Sequence, residues 1–215
     1  SSILGSFVFA AGGQILLALN TGIKLFDPVS GGLRDVADPN QGRECVAYND
    51  SKVDRQGRLW IGTFDVKEKE PRGILYCIDA AGNVHVADSG YTVCNGPAFS
   101  PDGSILYFSD TMGKRIIAYD VDSRVPHLRN RRVFADLGGE SGLPDGLTVD
   151  AEGCLWCALY GAGRIVRLSP DGSLCASYAV PAANVTSCAF GGPSMTTLFV
   201  TSGEDPSAQG AAGTS

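Results

Sequence analysis

One turn signature recurs along the chain and constrains its fold more than any other feature. A hydrophobic residue ends one strand, a polar turn closed by glycine follows, and a new strand rich in leucine and aromatic residues begins. Clear copies occupy residues 53–60, 99–107 and 149–156, and weaker copies begin at Phe9 and Phe190. The starts at 9, 53, 99, 149 and 190 are separated by 44, 46, 50 and 41 residues. The pattern predicts repeated β-hairpins.

Two further stretches complete each repeat. An apolar-rich stretch follows the hairpin at residues 22–27, 73–79, 115–120 and 163–168. A more polar stretch then closes the unit, as at residues 84–88 and 133–136, and its alternation suits an outer edge strand. Four strands in each repeat, without a helical period, predict the blades of an all-β propeller. An open sandwich fits the same composition, but it gives no reason for a turn signature to recur at a nearly fixed interval.

The repeats also predict the domain organisation. The chain holds four repeats and begins a fifth, so residues 1–203 are expected to form a single, partial propeller domain. Residues 204–215 are rich in glycine, alanine and serine and are expected to form a disordered tail. An open arc of four to five blades would expose the apolar faces of its terminal blades. We therefore expect poor solubility or self-association.

Composition excludes several classes of partner. The chain has 215 residues, of which 44% are hydrophobic, and its formal net charge is -6, which argues against nucleic-acid binding. No stretch reaches the roughly 18 to 20 apolar residues of a membrane helix, so a cytoplasmic protein without a membrane partner is expected. The seven cysteines form an odd set without regular spacing. They are interpreted as reduced core residues.

The repeat also predicts which residues surround the central channel. The innermost strand of every blade follows this channel, so residues at one phase of the repeat converge on the same mouth. The position four residues before the motif starts at 53, 99, 149 and 190 is occupied by Asn49, Asn95, Asp145 and Thr186, whereas the first copy gives Gly5. The four side-chain oxygens suit a hard cation such as Ca²⁺ or Mg²⁺, although Mn²⁺ and Zn²⁺ also bind carboxylate-rich sites. Taken singly, Asn or Asp before glycine can equally be a turn former.

Residues 48–63 resemble the signature FNDGKVDPxGRxWxGT of the regucalcin/gluconolactonase family, which includes senescence-marker-type and luciferin-regenerating-enzyme-like propellers. Further agreement lies at residues 94–103, 144–153 and 186–192, and the resemblance runs from about residue 2 to residue 202. It implies a six-bladed propeller, of which this chain would lack the N-terminal blade and the ring closure.

The resemblance also implies a chemistry. One divalent metal, Ca²⁺ or Zn²⁺ with Mn²⁺ and Mg²⁺ as further options, would be held by Asn95, Asp145 and a glutamate of the N-terminal blade. Asn49 would contact a sugar substrate, and Asp145 would also be the general base. The implied reaction is the hydrolysis of a sugar lactone, with the metal as Lewis acid.

Two departures from the family leave other functions open. The N-terminal glutamate has no counterpart in the chain, which would leave two protein ligands, and Ala47 stands where many members carry arginine. Glu68 and Glu70 lie in a charged loop where a substrate contact of the family is expected, and the sequence does not choose between them. The alternatives are a propeller that binds Ca²⁺ or a partner without catalysis, an inactive fragment, and a related hydrolase of phosphotriesters or other esters.

Overall fold

The computed structural model describes residues 3–204, and within them the chain folds into five antiparallel sheets. Four sheets have four strands each, and the last has two. The described helical structure is one 3₁₀ turn at Ala11–Gly13. Within these residues no helix has the length and apolar character that crossing a membrane requires. The predicted disordered tail lies, after Glu204, outside the described residues.

The strands follow chain order within every sheet. The first sheet contains β1 (Leu4–Phe9), β2 (Ile15–Leu19), β3 (Gly22–Phe26) and β4 (Leu33–Ala37). The second contains β5 (Val46–Val53), β6 (Leu59–Asp65), β7 (Gly73–Ile78) and β8 (Val84–Tyr91). The third contains β9 (Cys94–Phe99), β10 (Ile105–Asp110), β11 (Arg115–Val121) and β12 (Leu128–Asp136). The fourth contains β13 (Leu143–Val149), β14 (Leu155–Tyr160), β15 (Arg164–Leu168) and β16 (Leu174–Ala179), and the fifth contains β17 (Val185–Gly191) and β18 (Thr197–Ser202).

The first strands of the five sheets lie side by side. β1 packs on β5, β5 on β9, β9 on β13, and β13 on β17. Each sheet is therefore a blade whose first strand is innermost, and the chain has a β-propeller fold. The predicted third and fourth strands of the repeat are found at β3, β7, β11 and β15 and at β8 and β12. The six-bladed count and the open ring remain predictions.

An aspartate stabilises the recurring turn in the second blade. Asp54 Oδ1 accepts hydrogen bonds from the backbone N–H groups of Gln56 and Arg58, each at 2.9 Å. Its Oδ2 accepts from Arg58 Nε at 2.6 Å and from Trp60 Nε1 at 2.8 Å. Gly57 has φ +77°, a left-handed conformation that glycine adopts without strain. The aspartate therefore satisfies the polar groups of the turn, and the glycine allows its backbone conformation.

The same turn chemistry recurs two blades further on. Asp150 accepts from the backbone of Glu152 and Cys154 and from Trp156 Nε1. The Gly153 of this turn also has a positive φ, +82°. The sequence repeat thus corresponds to a repeated hydrogen-bonded turn.

The hydrophobic core lies between neighbouring blades. Trp60 and Leu75 of the second blade pack in one cluster with Phe108 and Ile117 of the third, and all four are buried. A second cluster joins the third and fourth blades, and a third joins the first and second. Each blade is therefore held mainly by apolar contact with the next, as expected of a repeat architecture.

The prediction that all seven cysteines are core residues is wrong for two of them. All seven are free, and five are buried. Cys175 is exposed because it belongs to β16, an outer strand with little burial. Cys45 is exposed in the loop before β5, where it has φ +61°.

Candidate functional site

A cavity of about 830 Å³ opens where the innermost strands converge. Asn49, Asn95, Asp145 and Thr186 all line it, and Gly5 lines it as well. The four residues selected by repeat phase are thus brought together in one space. Their roles in binding or catalysis remain predictions at this point.

A β-bulge explains why one phase of the repeat reaches the cavity. In every inner strand the pairing with the second strand shifts by one residue at that phase. The shifts lie between Leu4 and Ser6, Tyr48 and Ser51, Asn95 and Ala98, Pro144 and Leu147, and Val185 and Ser187. A bulge places an extra residue in one strand and redirects its side chains. Gly5, which departs from the oxygen-bearing series, occupies the same bulge in the first blade.

Glycines allow the bulged strands to approach one another. Gly96 has φ +45°, and a Cβ there would lie 2.6 Å from Leu147 N and 2.7 Å from the carbonyl oxygen of Asp145. At Gly5 a Cβ would overlap the carbonyl group of Tyr48. Any side chain at either position would therefore push two neighbouring blades apart at the cavity.

Hydrogen bonds join the candidate residues of different blades. Asn49 Nδ2 donates to Asn95 Oδ1 at 2.6 Å and to the Cys94 carbonyl at 2.8 Å. Ser6 Oγ donates to the Asn49 carbonyl at 2.7 Å. These bonds fix Asn49 and Asn95 relative to each other across the boundary between two blades.

Two carboxyl groups, from Asp50 and Asp145, line the same cavity. Burial and then the charge of Asp50 raise the pKa of Asp145 to about 8, although the Gly146 N–H opposes this shift. Burial also raises the pKa of Asp50, which the Gly96 N–H and the Lys52 ammonium group counteract. Asp50 Oδ2 accepts from Gly96 N at 3.1 Å. The cavity thus concentrates acidic groups in surroundings that disfavour their ionisation.

Sequence reasoning missed Asp50, Ser109 and Thr111. Asp50 follows Asn49, and strict alternation would send it to the opposite face, but the bulge brings both residues to the cavity. Ser109 Oγ donates to the Asp145 carbonyl at 2.8 Å, and Thr111 Oγ1 donates to the Pro144 carbonyl at 2.8 Å. The polar run 109–111 directly after the apolar 105–108 was the signal that could have revealed them.

The two glutamates that the sequence could not separate differ in position. Glu68 lies on the cavity wall, with φ +54°. Among the described residues that line the cavity, neither Glu70 nor Ala47 is present. The structure therefore favours Glu68 of the two for a contact at the channel mouth.

A second acidic cluster has a structural role. Oxygens of Asp150 and Glu152 lie within 4.8 Å of each other and of Cys154 Sγ. Arg167 Nη2 lies 2.7 Å from Asp150 Oδ2 and 2.5 Å from Glu152 Oε2, and Trp156 Nε1 also donates to Asp150. The guanidinium group already neutralises these carboxylates, so the cluster belongs to the turn and fits a metal poorly.

The fold and the cavity define a β-propeller with an oxygen-rich pocket on its central channel. The family model described as SMP-30/Gluconolactonase/LRE-like region matches residues 1–204. The chain belongs to this family.

Named relatives agree with this assignment. The chain is 36% identical over 204 residues to the 6-deoxy-6-sulfogluconolactonase of Pseudomonas putida. This match covers 94% of this chain and 69% of that protein. It is 31% identical over 203 residues to regucalcin of Danio rerio, with coverage of 93% and 68%. The solved structure of a calcium-binding protein, regucalcin, from Agrobacterium tumefaciens superimposes with a TM-score of 0.91 at 32% identity, covering 98% of this chain and 72% of that one. Across these and further curated relatives, the matched part of the chain spans from 55% of the length of regucalcin of Sus scrofa to 70% of that of regucalcin of Xenopus laevis.

Proposed function

We propose that the chain is the channel-forming part of a divalent-metal-dependent hydrolase that opens sugar lactones. The observation that carries the proposal is the meeting of Asn95 and Asp145 in one cavity, beside a second carboxyl group from Asp50. The sugar-lactonase name of the Pseudomonas putida relative supports the substrate class. The calcium-binding description of the Agrobacterium tumefaciens structure supports a metal.

The residues in the cavity fit a hard divalent cation. The side chains of Asn95, Asp145 and Asp50 offer amide and carboxylate oxygens, the donors that Ca²⁺, Mg²⁺ and Mn²⁺ prefer and that Zn²⁺ also accepts. The raised pKa of Asp145 is partly caused by Asp50, and a bound cation would relieve this repulsion. Asn95 and Asp145 are the proposed ligands, and Asp50 supplies a further carboxylate beside them. When bound, the ion supplies a Lewis acid that polarises the lactone carbonyl.

Asn49 is the proposed sugar contact, and its hydrogen bonds define which atom is available. Both hydrogens of its amide group are engaged, one by the Cys94 carbonyl and one by Asn95 Oδ1. The remaining polar atom is Oδ1, which can only accept. We expect Asn49 to accept a hydrogen bond from a sugar hydroxyl.

Asp145 is the proposed general base. Its ionised carboxylate takes a proton from the water that attacks the lactone carbonyl carbon. The ring C–O bond then breaks, the ring oxygen takes up the proton that Asp145 removed from the water, and the product is the open hydroxy acid. Because a bound cation would lower the pKa of Asp145, its carboxylate would be ionised and able to take this proton at neutral pH.

The test is the hydrolysis of glucono-1,5-lactone after chelation, with Ca²⁺, Mn²⁺ or Zn²⁺ then added singly and with correction for spontaneous opening. We expect metal-dependent activity that is lost in Asp145→Ala. The matched control is Asp102→Ala, because Asp102 is an exposed turn aspartate that is not among the residues lining the cavity. Activity without metal, or equal activity in both variants, would overturn the proposal. Metal binding without hydrolysis would support a propeller that binds calcium without catalysis.

A further inference from the structure

Thr111 lies between the two proposed metal ligands. It directly follows β10, its side chain borders the cavity, and only 5% of the residue is exposed. Its Oγ1 is 3.1 Å from Asn95 Nδ2 and 2.8 Å from the carbonyl oxygen of Pro144, the residue before Asp145. The Thr111 hydroxyl group thus contacts the side chain of Asn95 in the third blade and the main chain of the fourth blade next to Asp145.

The chemistry of these groups fixes the direction of both hydrogen bonds. A carbonyl oxygen can only accept, so the single hydroxyl hydrogen of Thr111 is donated to Pro144. The hydroxyl oxygen can then only accept from Asn95, and the amide of Asn95 must present its NH₂ group to Thr111. The amide oxygen of Asn95 is consequently turned the other way, towards Asn49, whose NH₂ group donates to it.

This direction matters because the two ends of an asparagine amide differ in what they bind. Oδ1 is a ligand for a hard cation, whereas the NH₂ group repels one. The Thr111 hydroxyl oxygen at one end of the amide and the Asn49 NH₂ group at the other select the same orientation. The alternative orientation here would set the NH₂ group of Asn95 against the NH₂ group of Asn49.

We infer that Thr111 is a positioning residue that holds the Asn95 amide with its oxygen towards Asn49, beside the cavity that both residues line, and ties it to the strand that carries Asp145. The cation-binding part of this inference rests on the proposed function, whereas the amide orientation does not. Ser109 assists from the same segment, because its fully buried Oγ donates to the Asp145 carbonyl.

Thr111→Val tests the inference because valine keeps the shape and removes the hydroxyl group. Thr111→Ser keeps the hydroxyl group. Thr63→Val is the matched control, since Thr63 is also buried but its hydroxyl group bonds to Ile74 N and O within its own blade. A merely structural role would give Thr111→Val and Thr63→Val the same consequences.

The first readout needs no metal. In the full chain labelled with ¹⁵N-asparagine, hydrogen exchange of the Asn95 side-chain amide is followed by NMR. We expect one slow Asn95 amide proton in the wild type, in Thr111→Ser and in Thr63→Val, and exchange about tenfold faster in Thr111→Val. Unchanged Asn95 exchange in Thr111→Val would overturn the inference.

The second readout is the affinity for Mn²⁺, measured by electron paramagnetic resonance of the free ion. We expect about 10- to 100-fold weaker binding in Thr111→Val, and binding close to the wild type in Thr111→Ser and Thr63→Val. Equal weakening in Thr111→Val and Thr63→Val would contradict a positioning role. A wild-type chain that binds no Mn²⁺ would contradict the proposed metal site, while amide exchange would still decide the orientation of Asn95.

Discussion

Asp145 combines burial with a like charge nearby, and this combination has a consequence for the stability of the metal-free chain. Its pKa is raised from 3.8 to about 8, so between these values the folded state holds a proton that the unfolded state has lost. Stability therefore falls as pH rises through this window. Aspartates with lowered pKa values have the opposite effect, because stability rises with pH as they ionise. For Asp102, whose pKa is lowered from 3.8 to about 2, this effect lies below the window of Asp145.

We predict that the free energy of unfolding of the metal-free chain falls between pH 4 and pH 8 with a contribution from Asp145 of up to about 1.4 kcal/mol per pH unit. Asp145→Asn removes this contribution and is more stable than the wild type near pH 8. Urea denaturation at a series of pH values measures the difference between the two proteins. If the free energy of unfolding changed with pH in the same way in the wild type and in Asp145→Asn, the raised pKa of Asp145 would be contradicted.

Sequence reasoning reached some cavity residues and not others for a geometric reason. Comparing the residue four positions before each copy of the motif identified Asn49, Asn95 and Asp145, because every blade carries its bulge at the same place. It missed Asp50, which only a bulge can bring to the cavity beside its neighbour. Thr111 was missed because it follows a second strand, outside the phase that was compared.

At the scale of strands and turns, a substitution in the bulge of the third blade shows how much stability depends on the close approach of the inner strands. Gly96→Ala places a Cβ against Leu147 and Asp145 in a left-handed conformation, and we expect it to cost about 2 to 4 kcal/mol of stability. Gly57→Ala is the control, because it has φ +77° but nothing within 4 Å of its Cβ position. It should cost only about 1 kcal/mol. Chemical denaturation compares the two, and equal losses would show that the close approach is unimportant.

The recurring turn makes a second prediction at this scale. Asp54→Ala leaves the buried guanidinium group of Arg58 without its carboxylate and should cost about 3 kcal/mol of stability. Asp102→Ala, at the equivalent but exposed turn of the third blade, should change stability far less. Thermal and urea unfolding of both variants check this ranking. A loss at Asp102 as large as that at Asp54 would contradict the importance of burial.

The strands were predictable because each repeat carries the same hydrophobic run and turn, and these are local signals. Partners of the turn residues were not predictable. Asp150 binds Arg167, which is 17 residues away, whereas Asp54 binds Arg58, only four residues away. The exposure of Cys175 was also hidden, because an apolar-looking strand can still be the outer one.

For the whole molecule, apolar side chains are exposed on both the first and the fifth sheet. Phe7 and Phe9 of β1 are 51% and 78% exposed, and Phe199 of β18 is 58% exposed. Exposed apolar clusters favour association. We predict concentration-dependent self-association of the 215-residue chain in sedimentation velocity, reduced in a Phe7→Ser/Phe9→Ser double variant. A monodisperse monomer at all concentrations would contradict the expectation of an open arc.

The propeller fold was predictable from repetition alone, since a fixed interval requires equivalent units that stack. The number of blades was not, because repetition within the chain counts only the repeats that it contains. The charge environment of the channel was equally hidden, since it depends on Asp50 and Asp145 meeting across two blades.

Asn95 and Asp145 are proposed to hold a divalent cation in the channel. The most direct measurement is an anomalous difference map from crystals of the chain soaked in Mn²⁺. We predict a peak in the cavity within coordination distance, about 2.0 to 2.6 Å, of Asn95 Oδ1 and an Asp145 carboxylate oxygen. A peak at the Asp150–Glu152 turn with none in the cavity, or no peak in the chain at all, would contradict the claim.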